Sequence, residues 1–125
     1  MKKEIVTTPN APAPVGPYSQ AIKAGHLLFI SGQIPLVPET GKVDKSSFSG
    51  QCRLVLNHLK AIVEAAGSNL ENVVKVNIFL TDLSKFGELN AIYSEYFGNS
   101  RPARACVQVA RSEEHTSELQ SRQSI

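Results

Sequence analysis

Across residues 46–67 the apolar side chains fall into one helical stripe. Cys52, Val55, Leu56, Leu59, Ile62, Val63 and Ala66 recur at three- and four-residue spacing. Ser46 or Ser47 is placed to cap its start and Gly67 to end it. The period then changes. Over residues 72–80, Val74, Val76, Ile78 and Leu80 alternate with Lys75, Asn77 and Phe79, the two-residue repeat of a strand. Helical spacing returns behind a cap at Asp82 or Ser84, with Leu83, Phe86, Leu89, Ile92, Tyr93 and Tyr96 as its buried stripe and Gly98 beyond it. Residues 103–110 alternate again: Ala103, Ala105, Val107 and Val109 on one side, Arg104, Cys106 and Gln108 on the other. A chain that switches period in this way is constrained to strand–helix–strand units with right-handed crossovers, parallel strands and both helices on one sheet face.

Upstream, residues 3–7 read as a short strand, and residues 21–24 and 26–31 as two strands around a hairpin turn at Gly25. Leu27, Leu28, Phe29 and Ile30 form an unbroken apolar run, which predicts burial on both faces. Residues 10–17 hold Pro12, Pro14, Gly16 and Pro17 and read as a loop or arm. Residues 38–41 read as a turn, with Gly41 free to take positive φ. The order β-β-β-α-β-α-β predicts an α+β fold: a mixed sheet with two helices on one face. The other face has no cover within the chain, which points to burial against a second subunit.

The chain has 125 residues, enough for one domain that buries roughly two-thirds of its unfolded surface. A net charge of +2, spread along the chain, gives no case for a nucleic-acid face. No stretch approaches the ~18 apolar residues of a membrane span. Met1-Lys2-Lys3-Glu4 lacks the apolar run of a signal peptide. Cys52 falls in a helix and Cys106 in a strand, which suits a reducing compartment, and the expected location is cytoplasmic.

Three short blocks carry the candidate chemistry: Gly16-Pro17-Tyr18-Ser19-Gln20-Ala21, Ile30-Ser31-Gly32-Gln33-Ile34-Pro35 and Arg101-Pro102-Ala103-Arg104-Ala105-Cys106-Val107. Arg104 is the sharpest residue. Small neighbours leave room beside its long side chain, and a guanidinium there can hold a carboxylate through two parallel hydrogen bonds. The plain alternative is a surface arginine on an edge strand or a structural ion pair. Tyr18, on a backbone stiffened by Pro17, can cover a pocket or pack on the core. Ser31-Gly32 can bring backbone N–H groups to a ligand or serve a turn. Asn90 can orient a ligand or sit on a helix surface. Cys106 has no neighbouring base to make it a nucleophile. His26, His58 and His115 lack metal-ligand spacing, so no metal is assigned.

Together the three blocks, with Ala61-Ile62-Val63-Glu64-Ala65-Ala66-Gly67, resemble the RidA (YjgF) family of reactive imine and enamine deaminases. The resemblance implies a chorismate-mutase-like fold and a homotrimer with pockets between subunits. It implies hydrolysis of 2-imino acids, released by pyridoxal-phosphate dehydratases, to 2-keto acids and ammonia, with no cofactor. Arg104 matches the family's catalytic, carboxylate-binding arginine. Tyr18, Ser31, Gly32, Asn90 and Cys106 match substrate-pocket positions. The family's final strand also supplies a glutamate, but the aligned position here is Leu119. Glu118 is adjacent, one residue out of phase and so on the opposite sheet face. Two further readings stand beside the deaminase: a non-catalytic trimer that binds small carboxylates, and a ribonuclease or translation inhibitor.

The resemblance covers residues 1–110, taken as the RidA-like domain. Residues 111–125 form a polar tail with no two-residue apolar repeat and only Leu119 and Ile125 as large apolar residues. The tail begins Arg-Ser-Glu-Glu-His-Thr-Ser-Glu-Leu-Gln-Ser, the translation of a common sequencing-library adapter. It reads as an artefact standing where the family's last strand belongs, so the final strand is expected to be missing or replaced.

Overall fold

Ten regular elements build the chain in a computed structural model that describes residues 2–111 and, as backbone, 119–124. In order they are β1 (Lys3–Val6), β2 (Ala21–Ala24), β3 (Leu27–Gln33), β4 (Leu36–Val37), β5 (Lys42–Val43), α1 (Phe48–Ala65), β6 (Lys75–Leu80), α2 (Phe86–Phe97), β7 (Ala103–Gln108) and β8 (Leu119–Ser124). Six strands form one mixed sheet in the order β1-β2-β3-β8-β6-β7. β6 and β7, joined through α2, are parallel, and the other neighbours in this sheet are antiparallel. β4 and β5 form a separate hairpin around the turn at residues 38–41, where Gly41 has φ 70°. Both helices pack on one face of the sheet. Their buried residues, including Leu59, Ile62, Leu89 and Phe97, form a single core with Leu28, Ile30, Val76, Ile78 and Leu80.

The helix starts follow the capping chemistry. The Ser47 hydroxyl accepts a 2.9 Å bond from the Gly50 N–H. Asp82 accepts from the Ser84 N–H at 2.9 Å and caps a short 3-10 turn (Leu83–Lys85) that leads into α2. That turn alters the expected stripe. Leu83 and Phe86 are exposed, at 42% and 37%, and Phe97 is buried in the core instead. A 3-10 segment advances each residue further round the axis than an α-helix does, so Leu83 leaves the core face. A second 3-10 turn (Leu70–Asn72), capped by Asn69, delays β6 to Lys75 and leaves Val74 exposed.

Burial of β3 on both faces is not found within the chain. Leu28 and Ile30 are buried, whereas Leu27 and Phe29 are 51% and 46% exposed. Cross-strand pairing puts Ile5, Ile22 and Phe29 in one row of that open face, and Phe79 with Val107 in another. Helices cover only the opposite face, so an unbroken apolar run here marks a strand whose second face is left apolar and open.

β8 occupies the inner slot between β3 and β6 although its sequence lacks a strand's apolar repeat. Backbone pairing explains this. β3 and β6 each present a row of N–H and C=O groups to the slot, and any chain with trans peptides can meet them. In the resulting register Gln123, Ser121 and Leu119 pair with Val76, Ile78 and Leu80. Residues 112–118, with His115 and Glu118, lie outside the described residues. Among the described residues, no helix is long and apolar enough to cross a membrane.

Candidate active site

Arg104 lies on the helix-facing side of β7, the edge strand, opposite Val76 in the parallel ladder. Its Nη1–H donates a 2.8 Å hydrogen bond to Asn90 Oδ1. Its guanidinium carbon sits 4.8 Å from the centroid of the Tyr93 ring and 5.2 Å from that of Phe86. Phe86, Asn90 and Tyr93 are four and three residues apart on α2 and share one helix face. One amide and two aromatic rings therefore fix the plane of the guanidinium, each ring adding cation–π attraction of roughly 0.5–2 kcal/mol. Among the described residues no carboxylate lies within ion-pair distance of Arg104, and its Nε–H/Nη2–H edge has no partner. The Arg104 side chain is half-buried on the edge strand, and among the described residues it is held without an ion pair. Asn90 likewise turns inward from the helix surface.

Cys106 follows two residues along the same side of β7 and packs partly against the core. Burial pushes its thiol pKa up, and the Arg104 charge offsets part of that rise. The sulfur is therefore a protonated thiol near neutral pH, which is a poor nucleophile. Tyr93 is shifted the same way for the same reason, and among the described residues its buried hydroxyl has no partner.

Tyr18, Ser31 and Gly32 form a second group. The Tyr18 N–H donates to Gly16 O at 2.9 Å, and its phenol oxygen accepts from the Val15 N–H at 3.3 Å. The ring is 47% exposed, so it is not a core tyrosine. The loop carrying it hangs on Gln20, which is 3% exposed. Gln20 Nε2 donates to the carbonyls of Thr8, Ala11 and Pro12, and its Oε1 accepts from the Thr8 N–H at 2.7 Å. Ser31 fastens the same loop to β3: its Oγ–H donates to Ser19 O at 2.6 Å and its N–H to Gln20 O at 3.0 Å. Tyr18, Gly32, Gln33 and Ile34 then line a small cleft of about 50 Å³.

The sequence-derived site thus separates into two halves. Asn90, Arg104 and Cys106 meet at the β7 edge; Ser31 and Gly32, in β3, lie with the loop that carries Tyr18. Ile30, Gln123, Val76 and Arg104 follow one another across the sheet, so three strand spacings of ~4.8 Å, about 14 Å in all, separate the halves. Of the residues that the sequence reading missed, Gln20 stood inside a quoted block with nothing to mark it as a hub. Phe86 and Tyr93 carried a usable signal, their spacing from Asn90, but were assigned to the core. Leu119 opens β8 opposite Leu80.

A mixed sheet with an antiparallel inner strand and two helices on one face defines a class of small α+β proteins known from solved structures. Escherichia coli TdcF with bound serine superposes with a TM-score of 0.90 at 38% identity, over 97% of this chain and 96% of that one. Yeast Mmf1 superposes at 0.94 and 36% identity, over 98% and 97%. Residues 8–118 match the family described as Endoribonuclease L-PSP, and the chain belongs to that family, which takes in the RutC and RidA proteins. A RutC family protein of Pyrococcus horikoshii is 54% identical over 109 residues, 87% of this chain and 86% of that protein. Reactive Intermediate Deaminase A, chloroplastic, of Arabidopsis thaliana is 48% identical over 110 residues, 88% of this chain and 59% of that protein.

Proposed function

We propose that this protein hydrolyses reactive 2-imino acids, with their enamine tautomers, to 2-keto acids and ammonia, in the cytoplasm and as a homotrimer. The observation that carries the reading is Arg104, held in a fixed plane by Asn90, Tyr93 and Phe86 with its Nε–H/Nη2–H edge unpartnered among the described residues. Such an edge suits one planar carboxylate held by two hydrogen bonds. The relative TdcF was crystallised with serine, which bears a carboxylate of this kind.

The chemistry asks little more of the protein. With the carboxylate anchored, the adjacent protonated C=N carbon is held in place for a water molecule. The water oxygen adds to that carbon, one of its protons passes to nitrogen through solvent, and the C–N bond breaks to release ammonia as the remaining hydroxyl proton goes to solvent, leaving the keto acid. No cofactor takes part, because a protonated imine is already electrophilic. The position aligned with the family's glutamate is Leu119, so no side chain of this chain is assigned as the base. Such imines are products of pyridoxal-phosphate dehydratases.

A trimer supplies the missing geometry. Ile5, Leu27, Phe29 and Val107 leave the open sheet face apolar and exposed, as a subunit contact requires. With the halves about 14 Å apart in one chain, a pocket is completed when the Tyr18–Ser31–Gly32 half of one subunit meets the Arg104 half of another.

The test is keto-acid release from 2-iminobutanoate generated in situ by an amino-acid oxidase. Acceleration over the uncatalysed rate is expected, and its absence overturns the hydrolase reading. Binding of 2-oxobutanoate without turnover would leave a carboxylate-binding trimer instead. For the composite pocket, inactive Arg104→Ala and Tyr18→Ala proteins are unfolded together and refolded. Mixed trimers regain activity if the halves come from different subunits, and none if each chain holds its own complete site.

A further inference from the structure

We propose that His58 is a positioning residue for the Tyr18 cleft: through the Leu36 carbonyl it holds one wall of the cleft while its ring is neutral, and it releases that wall on taking up a proton. The inference rests on the reading above in one respect, that this cleft receives part of the substrate. His58 is a buried imidazole with no part in the reaction. It lies seven residues from Gln51 on α1, two helical turns along the same buried face. Both side chains reach the β4–β5 hairpin. Gln51 Nε2 donates to Asp44 O at 2.8 Å, and His58 Nε2 lies 2.7 Å from Leu36 O. A carbonyl can only accept, so Nε2 carries the proton of the neutral ring. The hairpin depends on such straps. Its strands are two residues each and stand outside the six-stranded sheet, and a lone two-stranded ribbon is marginal in water.

Leu36 joins that hairpin to the cleft, which it lines with Tyr18, Gly32, Gln33 and Ile34. Its N–H donates to Ile34 O at 2.8 Å, and the Asp44 N–H donates to Pro35 O at 2.8 Å, so residues 34–36 and the hairpin are tied into one piece. A second proton on His58 has to enter at Nδ1, inside the core. Burial opposes that charge, and the Leu36 carbonyl and Glu39 favour it without outweighing burial. Of the other hairpin charges, Lys42 is exposed and the Asp44 carboxylate accepts from Ser46. On α1, Arg53, Lys60 and Glu64 are exposed, and Glu95 of α2 is paired with Arg53 at 2.9 Å. β3 carries no charged residue, and Ser121 and Gln123 take the core side of β8. The imidazolium therefore gains most by reaching water. α1 is fixed by its buried stripe, so the hairpin is the part that lifts, and the Leu36 wall moves with it.

The test uses the full chain as wild type, His58→Gln and His58→Leu, between about pH 7.5 and 5.5, across the ordinary imidazole pKa of about 6.5. Calorimetry measures binding of 2-oxobutanoate, which stays a carboxylate over this range, and circular dichroism checks that each protein is folded at each pH. Trypsin cleavage at Lys42 and Lys45 reports on the hairpin. Every value is taken as the ratio of wild type to His58→Gln at the same pH, so other titrations cancel. One proton shifts an equilibrium by at most about tenfold per pH unit, so the wild type should lose about three- to tenfold in affinity relative to His58→Gln on acidification, and its hairpin should be cut faster. His58→Leu, which has no donor, should bind weakly at every pH with no such trend; if it does not fold, wild type against His58→Gln carries the test. A constant affinity ratio in folded protein would overturn the inference, because His58 would then serve stability alone. So would an affinity ratio that falls while cleavage of the hairpin does not change. Affinity that follows the strap without any imine hydrolysis would uphold the inference and overturn the hydrolase. If the wild type binds no 2-oxobutanoate at any pH, both fall.

Discussion

Asn90 Oδ1 accepts a 2.8 Å hydrogen bond from Arg104 Nη1, joining the middle of α2 to the edge strand β7. The bond occupies one corner of the guanidinium and, among the described residues, leaves the Nε–H/Nη2–H edge without a partner. The arginine is thus oriented before any ligand arrives, and less side-chain freedom is lost on binding.

Arg104→Lys keeps the charge and loses the fork. Removing a charge-assisted contact costs roughly 1.5–3 kcal/mol, which corresponds to about a 10- to 100-fold fall in kcat/KM for imine hydrolysis. The fold should survive, because β7 pairs through its backbone. Equal kcat/KM in the two proteins would remove Arg104 from the carboxylate site. Asn90→Ala should give a smaller loss, read mainly in KM.

His58 predicts a pH dependence of stability. Its ring is 2% exposed on α1, with Nε2 2.7 Å from the Leu36 carbonyl oxygen at the start of the β4–β5 hairpin. Burial lowers its pKa below the usual 6.5, against the opposing pull of the Leu36 carbonyl and Glu39. The folded protein therefore takes up a proton at lower pH than the unfolded chain does. The stability contributed by neutral His58 is complete above about pH 6.5 and is lost as pH falls below it. Thermal melting between pH 7.5 and 5 should show this fall. His58→Gln, whose Nε2–H can still reach the carbonyl, should flatten the curve; parallel curves for the two proteins would refute the assignment.

Gln20 is expected to be the most sensitive polar residue of the Tyr18 half. Gln20→Ala leaves the Thr8 N–H and the Thr8, Ala11 and Pro12 carbonyls without their side-chain partner. Unsatisfied buried groups cost roughly 1–3 kcal/mol each, so a total loss of about 2–4 kcal/mol is expected after partial rehydration. Denaturant melts measure the loss. Limited proteolysis should find new cleavage within residues 8–18, and a wild-type digestion pattern would count against the hub.

The register of β8 makes a further prediction. Ser121 and Gln123 pair with Ile78 and Val76, which are 2% and 0% exposed. Alternate cross-strand pairs share a sheet face, so these two positions belong to the core side. Ser121→Val with Gln123→Val should raise stability by about 1–3 kcal/mol, seen as a higher Tm. The same substitutions at Gln120 and Arg122, which pair with Phe79 and Asn77, should not. If the two pairs of variants respond alike, the register is wrong. A clear gain would also support the reading of residues 111–125 as a polar replacement for the family's last strand.

The sequence by itself determined the elements that repeat within their own length. The stripe from Cys52 to Ala66, the alternation of β6 and β7 and the Ser47 cap were all legible, because helix and strand periods are local properties of the backbone. It also marked Arg104, through its small neighbours and the company of the other two blocks. Tertiary structure decided what depends on residues distant in sequence. The exposure of Leu27 and Phe29 followed from helices covering only one face of the sheet. The strand β8 formed because its neighbours offered a slot, whatever its composition. Its insertion between β3 and β6 is also what parts Tyr18 from Arg104. The rings of Phe86 and Tyr93 became walls for Arg104 only when α2 was laid across β7, because a stripe of apolar residues has the same spacing whether it faces a core or a guanidinium.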